Sequence, residues 1–72
     1  MLDPNLVGKK FRASDGGNYG VFIVALLPEV DDYVVMSIGR DGEMRYEEEP
    51  RRLSVSKIEA YYNLKSEWSN DL

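Results

Sequence analysis

The sequence predicts a mainly β domain in which five antiparallel strands are followed by one C-terminal helix. Short runs rich in β-branched and aromatic residues alternate with turn-forming Gly, Asp and Pro. The apolar run 19–27 ends at Pro28, and its length and boundary are typical of a central strand. The segment 56–59, Ser-Lys-Ile-Glu, has the form of a capping box, which begins a helix.

The length of the chain limits its domain organisation. A chain of 72 residues buries only about 60% of its unfolded surface, so we treat 1–72 as a single domain. Its content of 43% hydrophobic and 31% charged residues is typical of a globular protein. The predicted strands cover about 7–13, 19–27, 33–39, 43–48 and 51–55, and the predicted helix covers about 56–68.

Turn lengths determine the predicted pairing of the strands. A four-residue turn over 15–18 pairs Phe11 with Phe22, and a five-residue loop pairs Leu26 with Val34. One face of the sheet then forms the predicted core. It comprises Phe11, Phe22, Val24, Leu26, Val34, Met36, Ile38, Met44 and Tyr46, with Leu53 and Val55 pointing inward from the last strand.

The third hairpin is predicted from the same apolar pattern. A three-residue loop over 40–42 places Ile38 opposite Met44, which keeps both apolar side chains on one face. This loop places Gly42 at the position that requires a positive φ, which glycine adopts at low cost.

Strands joined by short turns and closed by one helix resemble a small SH3-like or Tudor-like barrel. The resemblance is architectural and rests on the order of the elements. It implies a small five-stranded antiparallel barrel or a curled meander with one C-terminal helix. Barrels of this kind host unrelated functions, so the resemblance assigns none.

The residue types argue against an enzyme. The chain has no histidine, cysteine or threonine, which removes the commonest general base and two of the usual nucleophiles. The serines in the run 54–57, Ser-Val-Ser-Lys, lie where a helix cap is needed. We therefore expect no catalytic residue, no cofactor and no small-molecule substrate.

Carboxylate and glycine clusters also favour structural interpretations. The acidic run 47–49 and the pair 31–32 lack the further ligands and the bent loop of a cation site, so we expect no metal. We interpret the run as a solvated acidic edge that discourages aggregation. Gly16 and Gly17 lie between two strands and lack a following Gly-Lys-Ser/Thr, which indicates a hairpin turn rather than a phosphate loop.

The central strands are apolar on both faces, and this feature motivates the functional prediction. Side chains opposite the predicted core, such as Val21 and Ile23, need a second cover from the helix or from another molecule. We predict a non-enzymatic binding module that acts through a protein–protein interface or as a homodimer. The predicted anchors are Tyr33, Val35, Tyr61, Tyr62 and Trp68, because large aromatic residues contribute most to interface energy.

The alternative is a nucleic-acid-binding barrel that uses a local basic patch and a stacking tyrosine. The net charge of −4 and the pI near 4.6 argue against it. Its candidate residues are Lys9, Lys10, Arg12, Arg51 and Arg52.

Location is predicted from absent signals. The first residues lack the pattern of a signal peptide, and the run 21–27 is too short to cross a bilayer. We therefore expect a cytoplasmic protein with no membrane partner. Its small size and acidic, cysteine-free composition suggest an accessory protein of a phage or other mobile element.

Overall fold

The computed structural model describes residues 2–68 and confirms the predicted fold class. Within these residues, five antiparallel strands form one sheet that is not closed into a barrel. The strand order is β4-β3-β2-β1-β5. The elements are a 3-10 turn (Pro4–Leu6), β1 (Lys10–Ala13), β2 (Gly20–Leu27), β3 (Asp32–Ile38), β4 (Arg51–Ser54), helix α1 (Val55–Tyr61) and β5 (Tyr62–Glu67).

The pairing of β1 with β2 differs by one residue from the prediction. Phe11 lies opposite Val21 rather than Phe22, because the connection after Ala13 has five residues instead of four. Successive side chains of a strand point to opposite faces, so this shift reverses the buried face. Phe22 is therefore half-buried on the other side of the sheet.

The observed core lies on the face that we predicted to need a second cover. Its centre packs beneath α1 and β5, which together provide that cover within the chain. The buried cluster is Phe11, Val21, Ile23, Tyr33, Val35, Val55, Ile58 and Tyr62. Of the predicted core, Phe22, Val24, Val34, Met36, Met44 and Tyr46 are at least partly exposed, and this part of the prediction is wrong.

Beyond a β-bulge at Val24, the side chains of β2 again point to the faces that we predicted. Ile23 pairs with Val35, but Ala25 pairs with Val34, so β2 has one residue more than β3 at this point. A bulge of this kind reverses the alternation of side chains along its strand. Leu26 consequently packs against the core, as predicted, although it pairs with Tyr33 and not with Val34.

The hairpin after β3 is partly as predicted. Ile38 pairs with Met44, and Gly42 has a φ of 79°, which confirms both expectations for this loop. The predicted strand 43–48 does not form, because the chain turns at Arg45, whose carbonyl accepts a hydrogen bond from the Glu48 N–H. Three successive glutamates and Pro50 oppose a continued strand at this point.

The C-terminal helix is shorter than predicted. The Ser54 hydroxyl caps α1 by accepting from the Lys57 N–H, so the cap is Ser54 rather than Ser56. The helix ends at Tyr61, and the next six residues form β5 beside β1. This pairing satisfies backbone groups at the free edge of β1, which a continued helix would leave to solvent.

The N-terminal segment closes one end of the core. Leu2 and Leu6 pack against the buried cluster. The backbone N–H of Asp3 donates to the hydroxyl of Tyr33 at 2.9 Å. Tyr33 is only 1% exposed, so this bond gives its buried hydroxyl a polar partner.

The reversed face assignment is testable by a pair of adjacent substitutions. Ile23→Ala creates a cavity and should lower the free energy of unfolding by about 2–5 kcal/mol. Val24→Ala, at a side chain that is 39% exposed, should change it by less than about 0.5 kcal/mol. Urea unfolding followed by circular dichroism measures both, and a larger loss for Val24→Ala would contradict the observed face.

Candidate functional site

The surface with the clearest chemical character is the sheet face opposite the core, which we call the outer face. Its members follow from the strand pairing, because directly paired residues share a face. Lys10 pairs with Phe22, and Phe22 pairs with Met36. Arg12 lies opposite Gly20 in the next such row. The outer face therefore combines apolar side chains of β2 and β3 with cations of β1.

One end of the outer face is covered by Trp68. Its backbone N–H donates to the Lys10 carbonyl at 2.8 Å, which extends the pairing of β5 with β1. A Cβ placed on Gly20 would lie 2.8 Å from the indole ring, so only glycine leaves room for it. The Arg12 guanidinium carbon stacks 4.5 Å from the ring centroid. Such a contact contributes about 0.5–1 kcal/mol at an exposed site.

The loop after β3 covers the same end from the other side. The Lys10 ammonium donates to the Gly42 carbonyl at 3.1 Å, so the loop reaches across the outer face towards β1. Ile38 is only 2% exposed although it lies outside the main core cluster. Ile38 pairs with Gly20, beside which the Trp68 ring lies, and with Met44 after the loop.

The rest of the outer face is partly exposed in the part of the chain that the structure describes. Its apolar side chains do not belong to the core cluster, and Val24 is 39% exposed. The others are half-buried. We call this surface the open strip, and it consists of Phe22, Val24, Val34 and Met36.

The predicted basic patch is divided by the fold. Lys10 and Arg12 flank the open strip on β1, and Arg52 flanks it on β4, where it pairs with Val34. With a strand spacing of about 4.8 Å, β1 and β4 are about 14 Å apart. Arg51 faces the other way and donates to the Ser37 hydroxyl, and Lys9 is exposed on the opposite face from Lys10. The five cations therefore do not form one cluster.

Most of the predicted interface anchors are buried inside the chain. Tyr33 and Val35 belong to the core, and Tyr62 packs there from β5. Trp68 is 8% exposed over Gly20. Only Tyr61, among the five, is exposed, at 59%. The expectation that these residues form one free surface is therefore corrected, since α1 and β5 cover the face that we assigned to a partner.

Other surface features have little chemical definition. A depression of about 500 Å³ beside α1 and β5 is lined by Ser14, Glu59, Tyr62, Asn63, Leu64 and Lys65. Residues 2–68 contain no group of three acidic, histidine or cysteine side chains placed to hold a metal ion. In the same residues, no helix has the length and apolarity to cross a membrane.

The Tyr19 ring lies in the first hairpin loop and interacts with a carboxylate. Its hydroxyl donates to Asp15 Oδ2 at 3.2 Å. The negative charge of Asp15 raises the pKa of Tyr19 above its usual value of 10.0, and the hydrogen bond acts in the same direction. The side chain is 47% exposed, so this pair belongs to the surface.

Comparisons with known proteins gave no match: none of the protein-family models, the curated proteins or the solved structures matches this chain.

Sequence reasoning missed the open strip and the Gly20 position. The sequence offered no clear signal for either, because the prediction already placed Phe11 in the core and Lys10 and Arg12 on the opposite face. Only the length of the first loop decides whether Gly20 and Phe22 lie opposite those cations.

We expect Gly20→Ala to displace the Trp68 ring, because the added methyl group would overlap both the ring and the Phe11 carbonyl. The free energy of unfolding should fall by about 1–3 kcal/mol, and tryptophan emission should shift to longer wavelength. The chain has a single tryptophan, so the emission reports this site alone. Gly39→Ala is the control, since the atoms nearest to its methyl group belong to the Arg45 guanidinium, the end of a flexible side chain. Unchanged emission from Gly20→Ala would contradict this packing.

The Tyr19 interaction predicts a specific pH dependence. Because the pKa of Tyr19 is raised in the folded chain, its protonated form favours folding. That contribution is complete at neutral pH and is lost as the pH rises through the raised pKa, above 10.0. Asp15→Asn should lower the pKa towards about 10, whereas Asp3→Asn should not alter it. NMR titration of the Tyr19 ring measures both, and equal pKa values in the wild type and Asp15→Asn would refute the assignment.

Proposed function

We propose that this chain is a small non-enzymatic protein-binding module whose contact surface is the open strip. The observation that supports the proposal is the apolar character of a sheet face that the described residues cover at one end only. An antiparallel sheet with a solvated face normally carries polar side chains there. Apolar side chains on such a face are typical of a protein contact surface.

The surroundings of the strip support a protein partner with acidic groups. Cations lie on both sides of it, with Lys10 at one rim and Arg52 at the other. The only carboxylate among the outward-facing residues of β1 to β4 in the structure described is Asp32, which lies 3.9 Å from the Arg52 guanidinium. An apolar centre with a charged rim is the usual composition of a protein interface.

The same proposal includes a cytoplasmic location and an accessory role in a phage or other mobile element. Both rest on the size and composition of the chain. Tyr61 remains a candidate for a peripheral contact because it is exposed at the end of α1.

Nucleic-acid binding is the second candidate, and it is favoured by one arrangement. Lys10 and Arg12 lie side by side on the face that also presents the Phe22 ring, which could stack on a base. Each of the two cations already has an intramolecular contact, with Gly42 and Trp68 respectively. This occupation and the net charge of −4 favour a protein partner.

The protein-binding proposal predicts that Val24→Asp strongly weakens binding without unfolding the chain. A carboxylate in the open strip would be desolvated on contact, which costs at least about 2 kcal/mol, or roughly 30-fold in affinity. Val30→Asp is the matched control, because Val30 is 53% exposed in the turn between β2 and β3. Immobilised chain is exposed to host extract and to labelled free chain, and each captured protein is then purified and its affinity is measured. Equal binding by the two variants, or no binding by the wild type, would overturn the proposal.

Salt dependence separates the two candidates. If three cations contact the phosphates of a single strand, the affinity for a labelled oligonucleotide should fall about 20-fold between about 50 and about 200 mM salt. A protein interface with an apolar centre should respond far less. Tight oligonucleotide binding with this salt dependence, lost in Lys10→Glu, would replace the proposed function with the alternative.

A further inference from the structure

We infer that residues 2–6 form a strap that opens away from one end of the core while the sheet remains folded. Leu2 and Leu6 pack from this segment against the buried cluster, and the segment lies outside the five strands. The strap covers core residues and is therefore distinct from the open strip. Three features of the molecule support its opening: the turn that joins it to β1, the few bonds that hold it, and the hydroxyl group beneath it.

A tight turn joins the strap to β1. The Lys9 N–H donates to the Leu6 carbonyl at 3.2 Å and closes the turn. Val7 has φ −65° and ψ 134°, and Gly8 has φ 85°, which are values of a type II turn with glycine at its third position. The Gly8 N–H donates to the Ile23 carbonyl at 2.8 Å, and the Ile23 N–H donates to the Lys9 carbonyl at 3.0 Å. The chain is therefore fixed to β2 from Gly8 onwards, and opening is confined to the residues before it.

Few contacts hold the strap closed. Its own bonds are local, since the Asn5 N–H donates to the Asp3 carboxylate at 2.9 Å and the Leu6 N–H donates to the Asp3 carbonyl at 3.1 Å. Among residues 2–68, one hydrogen bond joins it to the sheet, from the Asp3 N–H to the Tyr33 hydroxyl. Its apolar anchors, Leu2 and Leu6, are half-buried. Ordering each residue costs entropy that its contacts must offset, so this segment should open more readily than the sheet.

The surface beneath the strap is suited to exposure. Tyr33 is 1% exposed in the closed form, and its hydroxyl accepts from the Asp3 N–H at 2.9 Å. When the strap opens, water replaces the Asp3 N–H at this hydroxyl, so the polar end of the ring keeps a partner. The open form thus presents the Tyr33 hydroxyl and the end of the core beneath Leu2 and Leu6, with the five strands still paired.

Amide hydrogen exchange followed by NMR measures the opening. The Asp3 N–H loses its partner when the strap opens, whereas the Ile23 N–H stays bonded to Lys9 until the sheet unfolds. We expect a protection factor of about 10 to about 1,000 for Asp3, which corresponds to an open form populated at about 0.1–10%. Ile23 should be protected at least about tenfold more. Low concentrations of urea should accelerate exchange at Ile23 more steeply than at Asp3, because global unfolding exposes more surface.

Two leucine-to-alanine variants separate the strap from the sheet. Leu6 and Leu64 are both half-buried and both pack against the core cluster, Leu6 from the strap and Leu64 from β5. Leu6→Ala removes a contact of the closed form only, so it should lower the protection of Asp3 and of Ile23 by a similar factor, at least about fivefold. Leu64→Ala removes a contact that the open form keeps. It should lower the protection of Ile23 and leave that of Asp3 unchanged.

Removal of the Tyr33 hydroxyl tests the bond that holds the strap. Tyr33→Phe leaves the Asp3 N–H without its partner and should lower the protection of Asp3 at least about fivefold. Tyr61→Phe is the matched control, because Tyr61 is 59% exposed. It should leave the protection of both Asp3 and Ile23 unchanged.

Several results would overturn the strap. Equal protection of the Asp3 and Ile23 amides, or the same dependence on urea, would show that residues 2–6 leave the core only when the sheet unfolds. A loss of Asp3 protection in Leu64→Ala as large as the loss at Ile23 has the same meaning. An unprotected Asp3 amide in the wild type would show that the strap is not closed. The proposed function is tested separately, by the binding of Val24→Asp, so either proposal can fail without the other.

Discussion

The alignment of β1 with β2 is the constraint on which the remaining structure depends. Pairing Phe11 with Val21 places Ile23, Tyr33 and Val35 on one face, and α1 and β5 then have a continuous apolar surface to cover. A shift by one residue would place Lys10 and Arg12 on that buried face. Burying two unpaired cations costs several kcal/mol each, which is comparable to the whole stability of a domain of this size. As long as Ile23, Tyr33 and Val35 form the buried face, the charges of β1 therefore disfavour the shifted alignment.

The bulge at Val24 allows β2 to place side chains in the core both before and after it. Before it, Val21 and Ile23 face the core, and after it Leu26 does. Without the extra residue, either Ile23 or Leu26 would face outward. The bulge thus keeps β2 in the core along its length and concentrates the remaining apolar side chains near its midpoint. The open strip is consequently a result of the same irregularity that completes the core.

Features that depend on local chemistry were predicted correctly from the sequence. Features that depend on the number of residues in a loop were not. The fold class, the Ile38–Met44 pair and the positive φ of Gly42 follow from turn chemistry and apolar alternation. The buried face required knowing whether the first loop has four or five residues, and glycine-rich loops permit both. The segment 62–67 carries apolar residues at spacings that suit a helix or a strand. The segment forms a strand because it pairs with the free edge of β1. The local sequence pattern holds no information about that edge.

The proposed function does not depend on which face of the sheet is buried, because both faces of β2 and β3 are apolar. Whichever face is buried by α1 and β5, apolar residues remain on the other. Trp68 covers the end where Gly20 leaves space, and the Gly42 carbonyl accepts a hydrogen bond from Lys10, the residue paired with Phe22. A chain that covered its outer face for stability alone would have continued over Phe22 and Met36 or replaced them with polar residues. The partly exposed apolar residues of the outer face are therefore the feature on which the proposed binding function rests.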